Sequence, residues 1–166
     1  LPNAMVQVSP VTKFHSGAGY QYEDSVIYGF THTNKGHWNL CHIPLLPVTG
    51  TPTPGDYCSP FSHERESAAP GYYQVFLDRY GVDAQLSSTL RCAFHKYTYP
   101  AGAAASLLAD LQRSNEHVRA WDIRKEGDNV FAGWQQTGEK MYFYAVANRP
   151  VTGIEPVVEG LSLIHI

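Results

Sequence analysis

The sequence predicts an all-β protein, an antiparallel β-sandwich, and three observations carry that prediction. Apolar residues recur with a period of two far more often than with the 3.6-residue period of a helix. Glycine and proline, 14 and 11 of the 166 residues, punctuate the chain at intervals of about ten residues, the rhythm of many short strands. Aromatic residues reach 13%, with eleven tyrosines, while charged residues stay at 16%, against roughly 25% in an average domain. Such a chain has the apolar surface to pay the entropy of folding, so disorder is excluded.

The elements follow in order. Ala4–Val8 reads as a strand, entered without an initiator methionine or a polar lead-in, so the natural N-terminus is expected upstream. Strands are expected at Ser25–His32 and His42–Val48, followed by an exposed, turn-rich link over Thr49–Gly55. Tyr72–Leu77, the turn Arg79–Val82, Asp83–Leu90 and Arg91–Tyr99 read as an antiparallel meander. Ala101–Leu111 holds helix formers but begins after Pro100, and it reads as a loop entering a strand at Ser106–Leu111. His117–Glu126 and Asn129–Gln135 flank a hairpin turn, Arg124–Asn129, where glycine and asparagine can take positive φ, and Lys140–Ala147 follows. Residues 1–160 are expected to form one domain, since a chain of this length buries roughly 70% of its unfolded surface. Leu161–Ile166 changes character after Gly160 and resembles translated sequencing-adapter sequence; it is expected to be a non-native tail and is left out of the fold reading.

Several function classes are disfavoured. The net charge is −3 with no basic run, so the electrostatic footprint of a nucleic-acid binder is missing and nucleic acid is not an expected partner. No stretch reaches the roughly 18 apolar residues of a membrane-spanning helix. Cys41, Cys58 and Cys92 have neither zinc-site spacing nor the density of a disulfide scaffold, and an odd count leaves at least one thiol free.

Three polar clusters could carry chemistry. The first, Ser16–Asp24, combines Gly17 and Gly19 with Tyr20, Tyr22 and Asp24; its Gly-x-Gly lacks the later glycine and the helix of a dinucleotide loop. The second, Gly29–His42, gathers His32, Thr33, His37, Trp38 and His42 around Gly36. Fixed hydrogen-bonding groups beside an indole suit a sugar subsite, because a flat ring covers the C–H face of a pyranose while polar neighbours reach its hydroxyls. A metal is the competing reading, but His32, His37 and His42 recur every five residues, which aligns them on neither a strand nor a helix face. Local backbone hydrogen bonding would account for His32 and Thr33 equally well. The third cluster, Phe61–Tyr73, carries His63, Glu64, Arg65 and Glu66 and reads as a solvated charged loop. No two carboxylates can be placed from sequence at the roughly 6.5–9.5 Å of an inverting glycosidase pair, so no catalytic residue is assigned.

Taken in order, Ala4–Pro10, Gly19–Thr33, Phe61–Tyr73 and Arg91–Pro100 resemble the N-terminal domain of family 92 glycoside hydrolases, over most of residues 3–150. The resemblance implies a supersandwich-like β-sandwich, here incomplete, that precedes an (α/α)6 catalytic barrel absent from this chain. It implies a bacterial, secreted or periplasmic, inverting exo-α-mannosidase acting on α-mannose-containing glycans. Calcium and the acid and base carboxylates are then expected in the barrel, with no metal ligand in this chain, and the barrel becomes this domain's partner. Tyr20, Tyr22, Asp24, His32, Thr33, His37 and Trp38 become the candidate substrate contacts or inter-domain contacts. Many family members continue His-Thr as His-Leu-Ser-Gly-Thr-Gly, where this chain has Asn34–Asn39, a change expected to reshape a leaving-group subsite. Many also carry a tryptophan and a Cys-Ser pair where Phe14–Ala18 stand here, a change the resemblance places at the same leaving-group subsite. The alternative class is a free-standing carbohydrate-binding module without catalysis.

Overall fold

A computed structural model describes residues 4–166. The strands are β1 (Ser9–Val11), β2 (Val26–Ile27), β3 (Gly29–Thr31), β4 (Asn34–Lys35), β5 (Trp38–Asn39), β6 (Leu45–Thr49), β7 (Ser59–Pro60) and β8 (Glu66–Ala69). They continue with β9 (Tyr72–Leu77), β10 (Val82–Ser88), β11 (Ala93–Thr98), β12 (Ala105–Asp110), β13 (Ala120–Gly127), β14 (Val130–Gln136), β15 (Lys140–Val146), β16 (Gly153–Val158) and β17 (Leu161–His165). One 3-10 turn, His63–Arg65, precedes β8.

The sandwich has three layers. A six-stranded sheet in the order β1-β3-β6-β12-β17-β16 lies between a four-stranded sheet, β11-β10-β9-β8, and a three-stranded sheet, β13-β14-β15. Small ribbons pair β2 with β7 and β4 with β5. Two cores result. Phe30, Leu46, Val48, Leu108, Leu161 and Leu163 pack against Val75, Leu77, Val82, Ala84 and Leu86 of the four-stranded sheet. On the opposite face Leu45, Leu107, Ala109 and Ile164 meet Phe131, Met141 and Phe143 of the three-stranded sheet.

This layering explains the patterns in the chain. A strand covered on both faces needs apolar residues at consecutive positions. The runs Leu45-Leu46, Leu107-Leu108-Ala109 and Leu163-Ile164 belong to the middle layer, where Leu108 sits between Leu46 and Leu163 in register. The outer sheets bury one face only, so β11 and β15 alternate strictly between half-buried and exposed residues. Truncating Leu108, 1% exposed, to alanine would leave a cavity at the centre of the first core and cost about 2–5 kcal/mol.

Several expectations change. Ala4–Val8 is not a strand: it lies along the sandwich through single backbone bonds, Met5 N–H to Leu90 and Gln7 N–H to His32, and β1 begins only at Ser9. Leu1–Asn3, which precede that run, lie outside the described residues. The span Ser25–His32 divides at Tyr28, so that β2 pairs with β7 while β3 joins the middle sheet, because Gly29 lets the backbone approach Leu45 closely. The polar segment 31–41 contains the β4–β5 hairpin, turning through Gly36 at φ 62°. The charged segment 61–73 is not wholly a solvated loop, since β8 within it pairs with β9. Leu161–His165, set apart by its composition, is placed as β17 between β12 and β16, with Leu161, Leu163 and Ile164 buried.

Candidate functional site

Three segments meet at one end of the middle sheet: the loop 12–24, the β4–β5 hairpin with its continuation to Ile43, and the loop 111–119. Thr12 closes the first, its hydroxyl donating to Asp24 Oδ2 at 2.7 Å and accepting the Gln21 N–H at 2.9 Å. Gly17 and Gly19, both at φ 78°, press this loop on the hairpin. A Cβ at Gly17 would stand 2.9 Å from the Trp38 ring, and one at Gly19 2.5 Å from Asn39 Nδ2. The position therefore needs glycine twice over, for conformation and for space. Asn115 ties in the third segment, its Oδ1 accepting the His15 N–H at 2.6 Å and its Nδ2 donating to the Asn39 carbonyl at 2.6 Å.

Against this frame the seven candidate residues fall into separate groups. His37 and Trp38 stand exposed at the hairpin tip, with ring centroids 5.4 Å apart and Trp38 resting on Gly17. Tyr20 and Tyr22 lead elsewhere, to Glu66. Its Oε2 accepts the Tyr20 hydroxyl at 3.0 Å and lies 2.5 Å from His63 Nδ1, and its Oε1 accepts the Tyr73 hydroxyl at 2.6 Å. Tyr22 lies exposed, stacked on the His63 ring. The Glu66 hydrogen bond raises the His63 pKa, while burial and Glu66 together push the Tyr20 and Tyr73 hydroxyls up. Asp24 is engaged in closing its own loop.

His32 and Thr33 face inward. His32 Nδ1 lies 3.0 Å from the Ile43 carbonyl, so it carries the proton, and its Nε2 meets His95 Nε2 at 3.0 Å. His95 Nδ1 then accepts from the Tyr97 hydroxyl at 2.7 Å. Burial holds His32 down to about 4 and His95 well below the usual imidazole range, the latter also through the charge His32 would carry. Thr33 Oγ1 stands 2.8 Å from His42 Nδ1, and His42 Nε2 faces Glu116 Oε2 and Thr137 Oγ1, each at 3.2 Å. Burial lowers the His42 pKa against the pull of Glu116, so the ring is neutral, protonated on Nε2 toward the carboxylate. The histidines at intervals of five thus have three different environments. Among the described residues no group of three or more His, Cys, Asp or Glu is placed so that it could hold a metal ion.

Beside the Asn115 clasp lies an open groove of about 930 Å³, lined by Phe14, His15, residues 112–121 and Glu159. Arg113 is held near the rings of Phe14, Tyr28 and Tyr57 and pairs with Asp110 at 3.4 Å. Asp110 is buried, which raises its pKa, and it accepts the Tyr57 hydroxyl. None of Arg113, Asn115, Glu116 or Trp121 stands out in sequence as a site residue. The available signal is the polar run Gln112–His117 between two strands, longer than a plain link requires.

The comparisons agree with this architecture. The family model for the glycosyl hydrolase family 92 N-terminal domain matches residues 1–161. No curated protein sequence matches the chain. Among solved structures, a family GH92 α-mannosidase from Bacteroides thetaiotaomicron is similar with a TM-score of 0.90 and 25% identity, over 100% of this chain and 28% of that one. The same enzyme in complex with mannoimidazole gives 0.88 and 26%, over 100% of this chain and 27% of that one. An inverting GH92 mannosidase from Bacteroides thetaiotaomicron VPI-5482 shares the fold, with a TM-score of 0.78 at 22% identity, over 99% of this chain and 23% of that one. The chain thus spans little more than a quarter of the length of the structures it resembles. Layer order, strand pairing and the matched span together make the chain a member of glycosyl hydrolase family 92, within which it is the N-terminal β-sandwich domain.

Proposed function

We propose that this domain is the non-catalytic part of a glycan-degrading exo-α-mannosidase, where it completes the mannose pocket and packs on a catalytic (α/α)6 barrel. The observation that carries the reading is the end-to-end similarity to the corresponding part of an α-mannosidase whose structure is also known with mannoimidazole bound. The locked loop 12–24 and hairpin 34–39 support it, because they present Trp38, His37 and Tyr22 to solvent on a rigid base. A rigid rim can cover one face of a sugar, exclude water and orient the bond to be cleaved. General acid, general base and calcium belong, in this reading, to the barrel, and the enzyme is bacterial and secreted or periplasmic. This chain alone is then inactive.

A specific observation favours a second reading, a free-standing carbohydrate-binding module: both faces of the middle sheet are already covered within the chain. One experiment separates the two. The full-length protein carrying this domain is assayed on an aryl α-mannoside with added calcium, and with chelator as control. Calcium-dependent release supports the mannosidase. Sugar binding without release on any α-mannoside supports the module.

A further inference from the structure

We propose that two copies of this chain pair through β15, edge to edge and antiparallel, so that their three-stranded sheets become one continuous sheet. β15 ends its sheet, with no strand on its far side among the described residues. The ladder shows which backbone groups are left over. Thr137 N–H donates to the Glu139 carbonyl and Ala147 N–H to the Asn129 carbonyl, so by alternation the bonds to β14 fall on Met141, Phe143 and Ala145. The N–H and C=O groups of Lys140, Tyr142, Tyr144 and Val146 therefore point away from β14. Their side chains stand on the outer face, where Tyr142, Tyr144 and Val146 are 71%, 69% and 65% exposed.

Sheet edges are ordinarily blunted against such pairing by shortness, prolines, bulges or charges. The other ends of the three larger sheets each carry one of these devices. β1 has three residues and β8 four. β16 has Pro156 and a bulge before Val158. β13 has a bulge between Lys125 and Gly127, beside Arg124 and Glu126, and β11 sets the exposed Lys96 near its centre. β15 runs for seven residues in unbroken register, without proline, glycine or bulge. Its one charge, Lys140, stands at the first residue and is folded back over β14, with Nζ 3.6 Å from the Trp134 ring centroid. The edge is thus left clear.

The strand is complementary to itself, which selects a second copy as its occupant. A two-fold axis at Phe143 sets Tyr142 against the second copy's Tyr144, Met141 against Ala145 and Lys140 against Val146. The even-numbered residues, whose backbone groups are free, then oppose one another and exchange both bonds, as an antiparallel ladder requires. No like charges meet, and two tyrosine pairs form on the outer face. The exposed Glu139 before the strand and the exposed Arg149 after it carry opposite charges, and antiparallel pairing brings each toward the other at both ends of the contact. The arrangement is isologous and closes at two copies.

The test is sedimentation equilibrium of the 166-residue chain from micromolar to about 1 mM, with amide hydrogen exchange at the same concentrations. A monomer–dimer equilibrium is expected, with the Tyr142 and Tyr144 amides protected only where the dimer is populated. Tyr144→Pro removes an N–H that points away from β14, so the fold is kept and the dimer is weakened about tenfold or more. Two double variants read the register on exposed side chains. Tyr142→Lys with Tyr144→Lys sets like charges opposite and abolishes the dimer, whereas Tyr142→Glu with Tyr144→Lys sets opposite charges together and retains it. A parent that stays monomeric at about 1 mM leaves the edge to a strand of some other chain and overturns the inference. Association beyond the dimer also overturns it, as does a dimer that survives Tyr144→Pro or forms equally well in both double variants.

Discussion

Tyr22 lies flat on His63, with ring centroids 4.0 Å apart and 6° between the planes, and His63 also donates from Nε2 to the Tyr22 carbonyl at 2.7 Å. The two residues come from different segments and are fixed by a third, Glu66. The exposed tyrosine is thus mounted on a ring whose protonated form the Glu66 carboxylate favours.

Removing Glu66 tests that mounting. Glu66→Ala leaves the Tyr20 and Tyr73 hydroxyls without their acceptor and is expected to destabilise the domain by about 2 kcal/mol or more, read by chemical denaturation. The same variant should return the His63 pKa toward 6.5 in an NMR titration. His63 has a raised pKa in the folded state, so its contribution to stability is present below 6.5 and fades as pH rises through the folded value.

His32 and His95 act in the opposite sense. Their folded pKa values are depressed, so the unfolded chain binds protons more readily, and stability is lost as pH falls below the ordinary 6.5 toward about 4. For His32 alone that shift corresponds to about 3 kcal/mol. Denaturation midpoints measured between those limits should fall with pH, and His95→Gln, which cannot become cationic, should flatten the acid limb.

Gly133, in the centre of β14, has no room for a methyl group. A Cβ there would collide with the Asp122 carbonyl of β13 and stand 2.8 Å from Phe143 Cζ. Gly133→Ala is expected to cost about 3 kcal/mol or more by forcing β13 and β14 apart, seen as a lowered melting temperature.

Tyr57→Phe removes the hydroxyl that Asp110 accepts, and that hydrogen bond lowers a carboxyl otherwise pushed up by burial. The variant should cost about 1–3 kcal/mol and raise the Asp110 titration further, measurable by carboxyl-carbon NMR.

Much of this architecture was legible in the chain, for reasons that particular residues make plain. Tyr72–Leu77 is rich in aromatic and β-branched residues and is bounded by glycine turns, and β9 occupies those residues. The hairpin of β13 and β14 follows from the turn residues between Arg124 and Asn129. Glu66–Ala69 escaped notice because its strand is specified by pairing with β9 and carries no large apolar side chain. The middle strands obey no period, being buried on both faces, so the third layer could not be read from alternation. The site was less legible. Tyr20 and Tyr22 belong with Glu66, some forty residues further along the chain, and Glu116 gains its setting from His42 and Thr137, contacts made only once the sheets stack.

The middle sheet also sets an order of assembly. β8–β11 and β13–β15 pair with their immediate neighbours in the chain, and each can form while the rest is still being made. Apart from the β16–β17 hairpin, the sheet between them joins residues 9–11, 29–31, 45–49, 105–110 and 161–165 through contacts whose loops are long and slow to close. During synthesis the two meanders therefore emerge with one apolar face each and no layer to cover it. The interval until β17 leaves the ribosome is the period of greatest exposure to aggregation, and slower elongation through residues 111–160 would lengthen it.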